Sequence, residues 1–442
     1  MVIEVPGYLP DERPPVGKLL AFAVQQMLVM FPATVTVALL TGFHVSTTIF
    51  ASGLATLVFL LLTRGAIPLY YGSSFSYIAA VIGITGANFG EIASDALISQ
   101  AQFGIVMSGL VSIVAGLIVS RFGTDKIEKV LPPAVTGSIA LVIGGSLFGV
   151  AMTSACGYDA ASGAASGAAW IAALTAMVAT IIFSVYLKGV WKQLPILLGI
   201  AVGYLVSIPL GLVDFSPVAE TALFVLPHFT LPAPNLMAVL AIMPIAIATI
   251  PESTAHLFQL DLYVNKLAKE KAAAKKRYHI SDKLGLNLIG DGIGDIVAAM
   301  FGGPGGTNYG ENISVMMITK VFSSAVLGAA AVLAMAVSFL GPVSAFINTI
   351  PSAVINGACI YLFGVIAVQG VALMIDKKVD IFDERNVAVI AVILVVGLGG
   401  SFGFAGGMIP FFGARLPAIA TASVAGIVMN LLLHIGRKGG KR

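Results

Sequence analysis

The 442-residue chain is 58% hydrophobic and only 10% charged, with a mean hydropathy of +0.99 and a formal net charge of +3. Soluble domains carry about 25% charged residues, which their water-facing surface requires. The composition therefore excludes a soluble globular protein and predicts a polytopic protein embedded in a lipid bilayer. So small a net charge gives no argument for a nucleic-acid partner. Cys156 and Cys359 lack any CxxC or metal-ligand spacing, so neither a disulfide framework nor a metal site is expected. The N-terminal stretch MVIEVPGYLPDERPP has no apolar run of the kind a cleavable signal peptide needs.

A membrane-spanning helix takes about 20 mainly apolar residues. Fourteen such stretches follow one another: 17–41, 46–63, 68–86, 96–120, 132–154, 166–187, 193–213, 235–263, 284–302, 306–320, 321–348, 351–375, 386–402 and 416–436. The third and the tenth are short and interrupted by Gly and polar residues. With both termini in the cytoplasm, Arg13, Lys18, Arg64, Arg121, Lys126, Lys129, Lys188 and Lys192 all fall on the cytoplasmic side. So do the cluster from Lys266 to Lys283, Lys320, Lys377, Lys378, Arg385 and the tail GRKGGKR, and Arg415 alone falls outside. Positive charge is retained in cytoplasmic loops, so this bias predicts a multi-pass protein of the cytoplasmic (inner) membrane with an even number of spans.

The stretch LYYGSSFSYIA at 69–79 resembles TNYGENISVMM at 307–317, and LPPAVTGSIALVIG at 131–144 resembles IPSAVINGACIYLFG at 350–364. Both matches are offset by seven spans. Because seven is odd, the two halves must lie upside down relative to each other, as in the inverted repeats of secondary transporters. The fold class read here is an all-α polytopic membrane protein of 14 transmembrane segments, arranged as a 7+7 inverted repeat. In such proteins interrupted spans at corresponding places of the two halves line the substrate site. Gly72 and Gly310 are expected to turn an extended stretch into a half-helix. The half-helix starts near Ser74 and Glu311 then offer free backbone N–H groups and a positive dipole end.

An acid at mid-membrane costs about 2.5–3.5 kcal/mol on insertion scales, which makes Glu311 a candidate for function rather than a mere helix cap. A second acid, Glu252, lies in MPIAIATIPESTAHLFQLD beside Pro251, which should bend the helix, and His256 follows one turn later on the same face. Such a pair can share a proton. Asp291 and Asp295, in GDGIGD, are also one turn apart. They serve either as proton-relay groups or as groups that tether a loop.

The segments YGSSFSYI, PESTAH, TNYGENISVMMITK and IPSAV resemble the nucleobase–cation symporter family, which also includes the nucleobase–ascorbate transporters, and within it the uracil branch. The resemblance runs from DERPP to the last span. It implies a core domain from segments 1–4 and 8–11 (residues 1–120 and 235–348). It also implies a gate domain from segments 5–7 and 12–14 (residues 121–234 and 349–442), with short antiparallel strands in segments 3 and 10. By position, Glu252 and Glu311 would hydrogen-bond the ring of a nucleobase, uracil above all. The backbone N–H groups of Phe75 and Gly310 would hold its carbonyl oxygens, and Tyr309, Ala33 and Phe363 would wall the pocket. His256 would couple to Glu252 in proton transfer, with protons as the coupling ion, no other cofactor, alternating access between the domains, and a homodimer through the gate domain.

The sequence departs from the family at three places. Gln25-Gln26 stands where the family often has Gln-His, Ser314 stands for a usual Gly, and Phe363 replaces a Tyr of the uracil branch. The other readings are a xanthine or other purine permease of the same fold, against which Glu311 speaks because those relatives tend to have Gln, and an anion channel or exchanger on a related inverted-repeat scaffold. An enzyme is not expected, because Glu-x-x-x-His is not the HExxH zinc pattern and no GxSxG elbow is present.

Overall fold

The computed structural model describes residues 7–434 apart from 88–89, 124–130, 159–161, 189–190, 192–193, 272–277 and 413. Lys126, Lys129, Lys192, part of the 266–283 cluster and the GRKGGKR tail, all used above to orient the chain, lie outside the described residues.

The protein is predominantly helical. In chain order the elements are α1 (Val16–Thr41), α2 (Val45–Leu62), β1 (Tyr71–Ser73), α3 (Ile78–Thr85), α4 (Asp95–Phe122), α5 (Pro133–Ser146), α6 (Phe148–Ala155), α7 (Gly167–Tyr186) and α8 (Pro195–Ser207). The short α9 (Ser216–Glu220), α10 (Leu236–Ile242), α11 (Ala246–Glu270), α12 (Leu284–Met300), β2 (Gly306–Asn308), α13 (Gly310–Thr319), α14 (Ser324–Ser338) and α15 (Gly341–Asn348) follow. The chain ends with α16 (Ser352–Asp376), α17 (Glu384–Leu394), α18 (Gly400–Gly403), a hairpin of β3 (Met408–Phe411) and β4 (Ala414–Pro417), and α19 (Ala418–His434).

Among the described residues eight helices are long and apolar enough to cross a membrane. Their outward faces are themselves greasy. On α7, Ile171, Leu174, Val178, Ile182 and Val185 are all exposed and recur along one side of the helix. Such a continuous apolar face has no place in water and is the surface a bilayer covers. The protein is thus a multi-pass membrane protein.

Two sets of helices pack among themselves. In one, α4 lies along α12 and α10, α2 along α14 and α12, and α1 along α14. In the other, α5 lies along α16 and α17, α7 along α8 and α16, and α17 along α19. With no water to expel between them, helices in lipid gain by close contact through small residues. At Gly109 on α4 a methyl group would stand 2.5 Å from the carbonyl oxygen of Gly292 on α12, so the two backbones touch.

Several expected segments are broken. The stretch 321–348 is two helices that part at Phe339–Leu340, because Pro342 in the first turn of α15 has no N–H to continue the ladder. The stretch 132–154 parts at Leu147. The eighth is interrupted by a tighter turn at Met243–Ile245, which contains Pro244, and its helix continues to Glu270. The β3–β4 hairpin between α18 and α19 had no counterpart in the sequence reading.

Candidate functional site

The site is built where the chain stops being helical inside the first helix set. β1 and β2 pair antiparallel, with Tyr71 opposite Asn308, Gly72 opposite Thr307 and Ser73 opposite Gly306. The Ser74 N–H bonds to the Gly305 carbonyl at 3.1 Å and the Tyr309 N–H to the Tyr70 carbonyl at 2.9 Å, closing both ends of the crossing. Unwound backbone is costly in a membrane unless every polar group finds a partner. Here α2 supplies one set: Ser52 and Thr56 donate to the Tyr71 carbonyl at 2.8 and 3.0 Å, and the Tyr71 N–H donates to the Thr56 hydroxyl at 3.1 Å.

Asp295 supplies the other. Its carboxylate accepts from the Tyr71 hydroxyl at 2.6 Å, the Tyr77 hydroxyl at 3.0 Å and the Gly306 N–H at 2.8 Å. One buried acid on α12 thus ties β1, β2 and the turn before α3 together. Asp291, one turn earlier, accepts from Ser253, while its other oxygen is buried without a partner among the described residues. The Ser253 hydroxyl in turn accepts from Asn287 at 2.7 Å and Asn308 at 3.2 Å. This polar cluster lies beneath Glu252, the neighbour of Ser253 on α11.

From the crossing the chain turns into two half-helices. A helical turn at Phe75–Tyr77, capped by the Ser74 hydroxyl, leads into α3, and α13 begins at Gly310. The positions expected of the glycines need one correction. Gly310 opens its half-helix, but Gly72 sits in the middle of β1, and the turn there comes at Ser74. The Tyr-Gly match between the two sequences is therefore out of step with the structural match, in which Ser74 and Tyr309 occupy the equivalent helix-capping places. Gly72 is needed for a different reason: a methyl group there would collide with the ring of Tyr309. That ring lies across the strand, accepts from Thr34 at 2.9 Å and donates to the Ser73 carbonyl at 3.0 Å. Tyr309 therefore locks α1 to both crossed segments.

Glu252 and Glu311 come together at the half-helix starts. The Ser76 hydroxyl donates to Glu252 at 3.4 Å, and Glu311 is near enough to be an electrostatic neighbour. Both acids are half-buried, and among the described residues neither has a basic partner. Among the described residues the N–H groups of Phe75 and Gly310 make no backbone hydrogen bond, as expected at helix starts.

His256 is half-buried and packs on Gly310, where a methyl group would stand 2.7 Å from its Nε2. Its Nδ1 is buried without a hydrogen-bond partner among the described residues. Among the described residues no hydrogen bond joins it to Glu252. Ala33 is buried on α1 next to Thr34. Phe363 is fully enclosed on α16, in the other helix set, with its carbonyl against Gly144 of α5.

Sequence reasoning missed Gln26 as a partner. Asn312 donates to the Gln26 side-chain oxygen at 2.7 Å and to its backbone carbonyl at 3.0 Å. The amide that departs from the family pattern thus ties α1 to the start of α13. The adjacent Glu311-Asn312 pair was the available signal, since a buried amide beside an acid needs a partner of its own.

The pattern of the Permease family, the xanthine and uracil permeases, matches residues 17–406. A uracil permease of Bacillus caldolyticus is 37% identical over 429 residues, covering 96% of this chain and 94% of its own length. A putative pyrimidine permease of Escherichia coli K12 is also 37% identical, covering 96% of this chain and 91% of its own. Among solved structures, the murine solute carrier 26 family member A9 anion transporter, in its inward-facing state, matches with a TM-score of 0.68 at 12% identity. It covers 98% of this chain and 70% of its own, a likeness of fold alone. A match of this extent, on a chain whose crossed half-helices gather two acids inside a helical membrane fold, means that the chain belongs to the permease family of nucleobase–ascorbate transporters and is a transporter rather than an enzyme.

Proposed function

We propose that this protein is a proton-coupled symporter that imports uracil across the cytoplasmic membrane by alternating access. The observation that carries the reading is the pair of acids at the crossing: Glu252, on α11 against Ser76 of the first half-helix, and Glu311, in the first turn of the second. Uracil offers two N–H donors and two carbonyl acceptors. Two carboxylates and the free N–H groups of Phe75 and Gly310 form the matching set. The names of the relatives point the same way, whereas a carrier of anions would be poorly served by two unpaired acids.

The reading includes fourteen segments in two inverted halves. Its support is that the packing comes in mates seven segments apart. The α2–α14 contact has its mate in α12–α4, α1–α14 in α10–α4, α7–α8 in α17–α19 and α16–α7 in α17–α5, while the β1–β2 and α5–α16 contacts are their own mates. The first set is the core domain and the second the gate domain, and motion of one against the other carries the site between the two sides. A homodimer through the gate domain belongs to the same reading.

Glu252 is the proton carrier. Asp291, one of whose buried oxygens has no partner among the described residues, is its next stage, and Asp295 is a tether. His256 supports the relay from beside Gly310. The test is uptake of labelled uracil into proteoliposomes with and without an imposed pH gradient. Glu252→Gln should lose gradient-driven accumulation while retaining exchange of labelled for unlabelled uracil, which needs no net proton movement. His256→Ala should damage accumulation more than equilibrium binding. If both variants concentrate uracil as the unmutated protein does, the proton travels elsewhere.

A further inference from the structure

Away from the crossing, three short connections meet at the end of the molecule that the charge distribution assigns to the outside. His44 stands at the start of α2, Asp95 is the first residue of α4, and His228 lies in the connector between α9 and α10. These residues are far apart in the sequence, which is why no ligand spacing is visible there. In the structure one donor atom from each lies within 4.8 Å of the other two. The His228 Nε2 is 3.0 Å from both oxygens of Asp95, and the two imidazole rings face each other with centroids 4.4 Å apart.

Two features set this cluster apart from an ordinary surface ion pair. First, the Nε2 of His44 is buried and has no hydrogen-bond partner among the described residues. An imidazole nitrogen removed from water and left open, next to a second imidazole and a carboxylate, lacks only a cation. Second, the cluster is held in place by its surroundings. Thr47 donates to the His228 carbonyl at 2.9 Å. Thr230 donates to Gln102 at 2.9 Å, and Gln102 donates back to the Thr230 carbonyl at 2.9 Å. The Ala93 N–H bonds the Gly42 carbonyl at 2.9 Å, fixing the loops before α2 and α4 to each other.

We propose that His44, Asp95 and His228 form a binding site for a divalent transition metal of the zinc class, and that the bound ion clamps the α9–α10 connector to the starts of α2 and α4. Two imidazoles and one carboxylate are a zinc-type donor set, whereas calcium and magnesium take oxygen ligands alone. With bonds of about 2.0–2.2 Å, tetrahedral donors stand roughly 3.3 Å apart, so the widest pair closes by small side-chain rotations and water takes the fourth position. The connector joins the two helix sets, so an occupied site stiffens the link between them from the outer side.

The experiment uses the full chain, purified without a histidine tag and stripped with chelator. Cobalt(II) is titrated in while its visible absorption is recorded, and zinc binding is measured by calorimetry. The expected result is one ion per chain, with a cobalt spectrum of low, four-coordinate symmetry and a rise in the thermal unfolding midpoint with added zinc. His44→Gln, Asp95→Asn and His228→Gln should each weaken binding by at least about tenfold, while His279→Gln on the opposite face leaves it unchanged. The metal-free unfolding midpoint reports whether each variant folds. Absence of saturable binding in the unmutated protein overturns the proposal, as does full binding in a folded His44→Gln/His228→Gln double variant.

Discussion

The two crossed segments share one scaffold and carry opposite chemistry. Each is a three-residue strand followed by a half-helix, and each strand bonds the other. In the first, the half-helix start is lined with hydroxyls, from Ser74 and Ser76. In the second it carries Glu311 and the amide Asn312. Both rely on α12 through Asp295; beyond it, the first segment is satisfied by its own cap and by α2, while the second relies on α1 through Gln26. A symmetric frame can thus hold an asymmetric ligand, because geometry is shared between the halves while donors and acceptors are assigned to each half separately.

Removing the tether should have the largest effect. Asp295→Ala leaves the Tyr71 hydroxyl and the Gly306 N–H without an acceptor and leaves the Tyr77 hydroxyl with Ser108 alone. At about 1–3 kcal/mol per buried unpaired group, discounted for relaxation, the loss is on the order of 3–5 kcal/mol. Thermal unfolding in detergent measures it, and a midpoint close to that of the unmutated protein would show that the crossing does not depend on α12.

Gly72→Ala should come next, at about 1–3 kcal/mol, the usual cost of forcing an extra carbon into a packed site. Gly310→Ala should cost less stability, because His256 can turn aside whereas the Tyr309 ring is held by two hydrogen bonds. Equal losses in the two variants would mean that the Tyr309 lock is not the stiffer half of the crossing.

Glu311→Gln exchanges an acceptor oxygen for a donor amide and should weaken uracil binding by about 1–3 kcal/mol, read by calorimetry. Ser74→Ala, its counterpart on the hydroxyl side, should weaken it less, because it removes a helix cap, which costs about 0.5–2 kcal/mol of stability, and not an acceptor for the ring. Equal losses at the two positions would erase the chemical difference between the halves.

Much of this architecture was legible in the sequence. Runs of apolar residues marked the helices because lipid tolerates little else, and the Gly-rich, polar interruptions near 72 and 310 marked the place where backbone leaves the helix. Glu252 and Glu311 stood out because an acid in an apolar span is expensive. The slip between the Tyr-Gly match and the structural match was not legible, because two tyrosines followed by glycine look alike in sequence while one sits in a strand and the other caps a helix.

Composition and hydrophobic runs determined that the chain crosses a membrane many times and that Glu252 and Glu311 lie where acids are costly, since both follow from the local solvent preference of each residue. Tertiary structure alone decided that Asp295 binds both strands, that Gln26 answers Asn312, and that His44, Asp95 and His228 converge. Each of these depends on contacts between residues distant in the chain, and no local preference encodes which distant partner a polar side chain will meet.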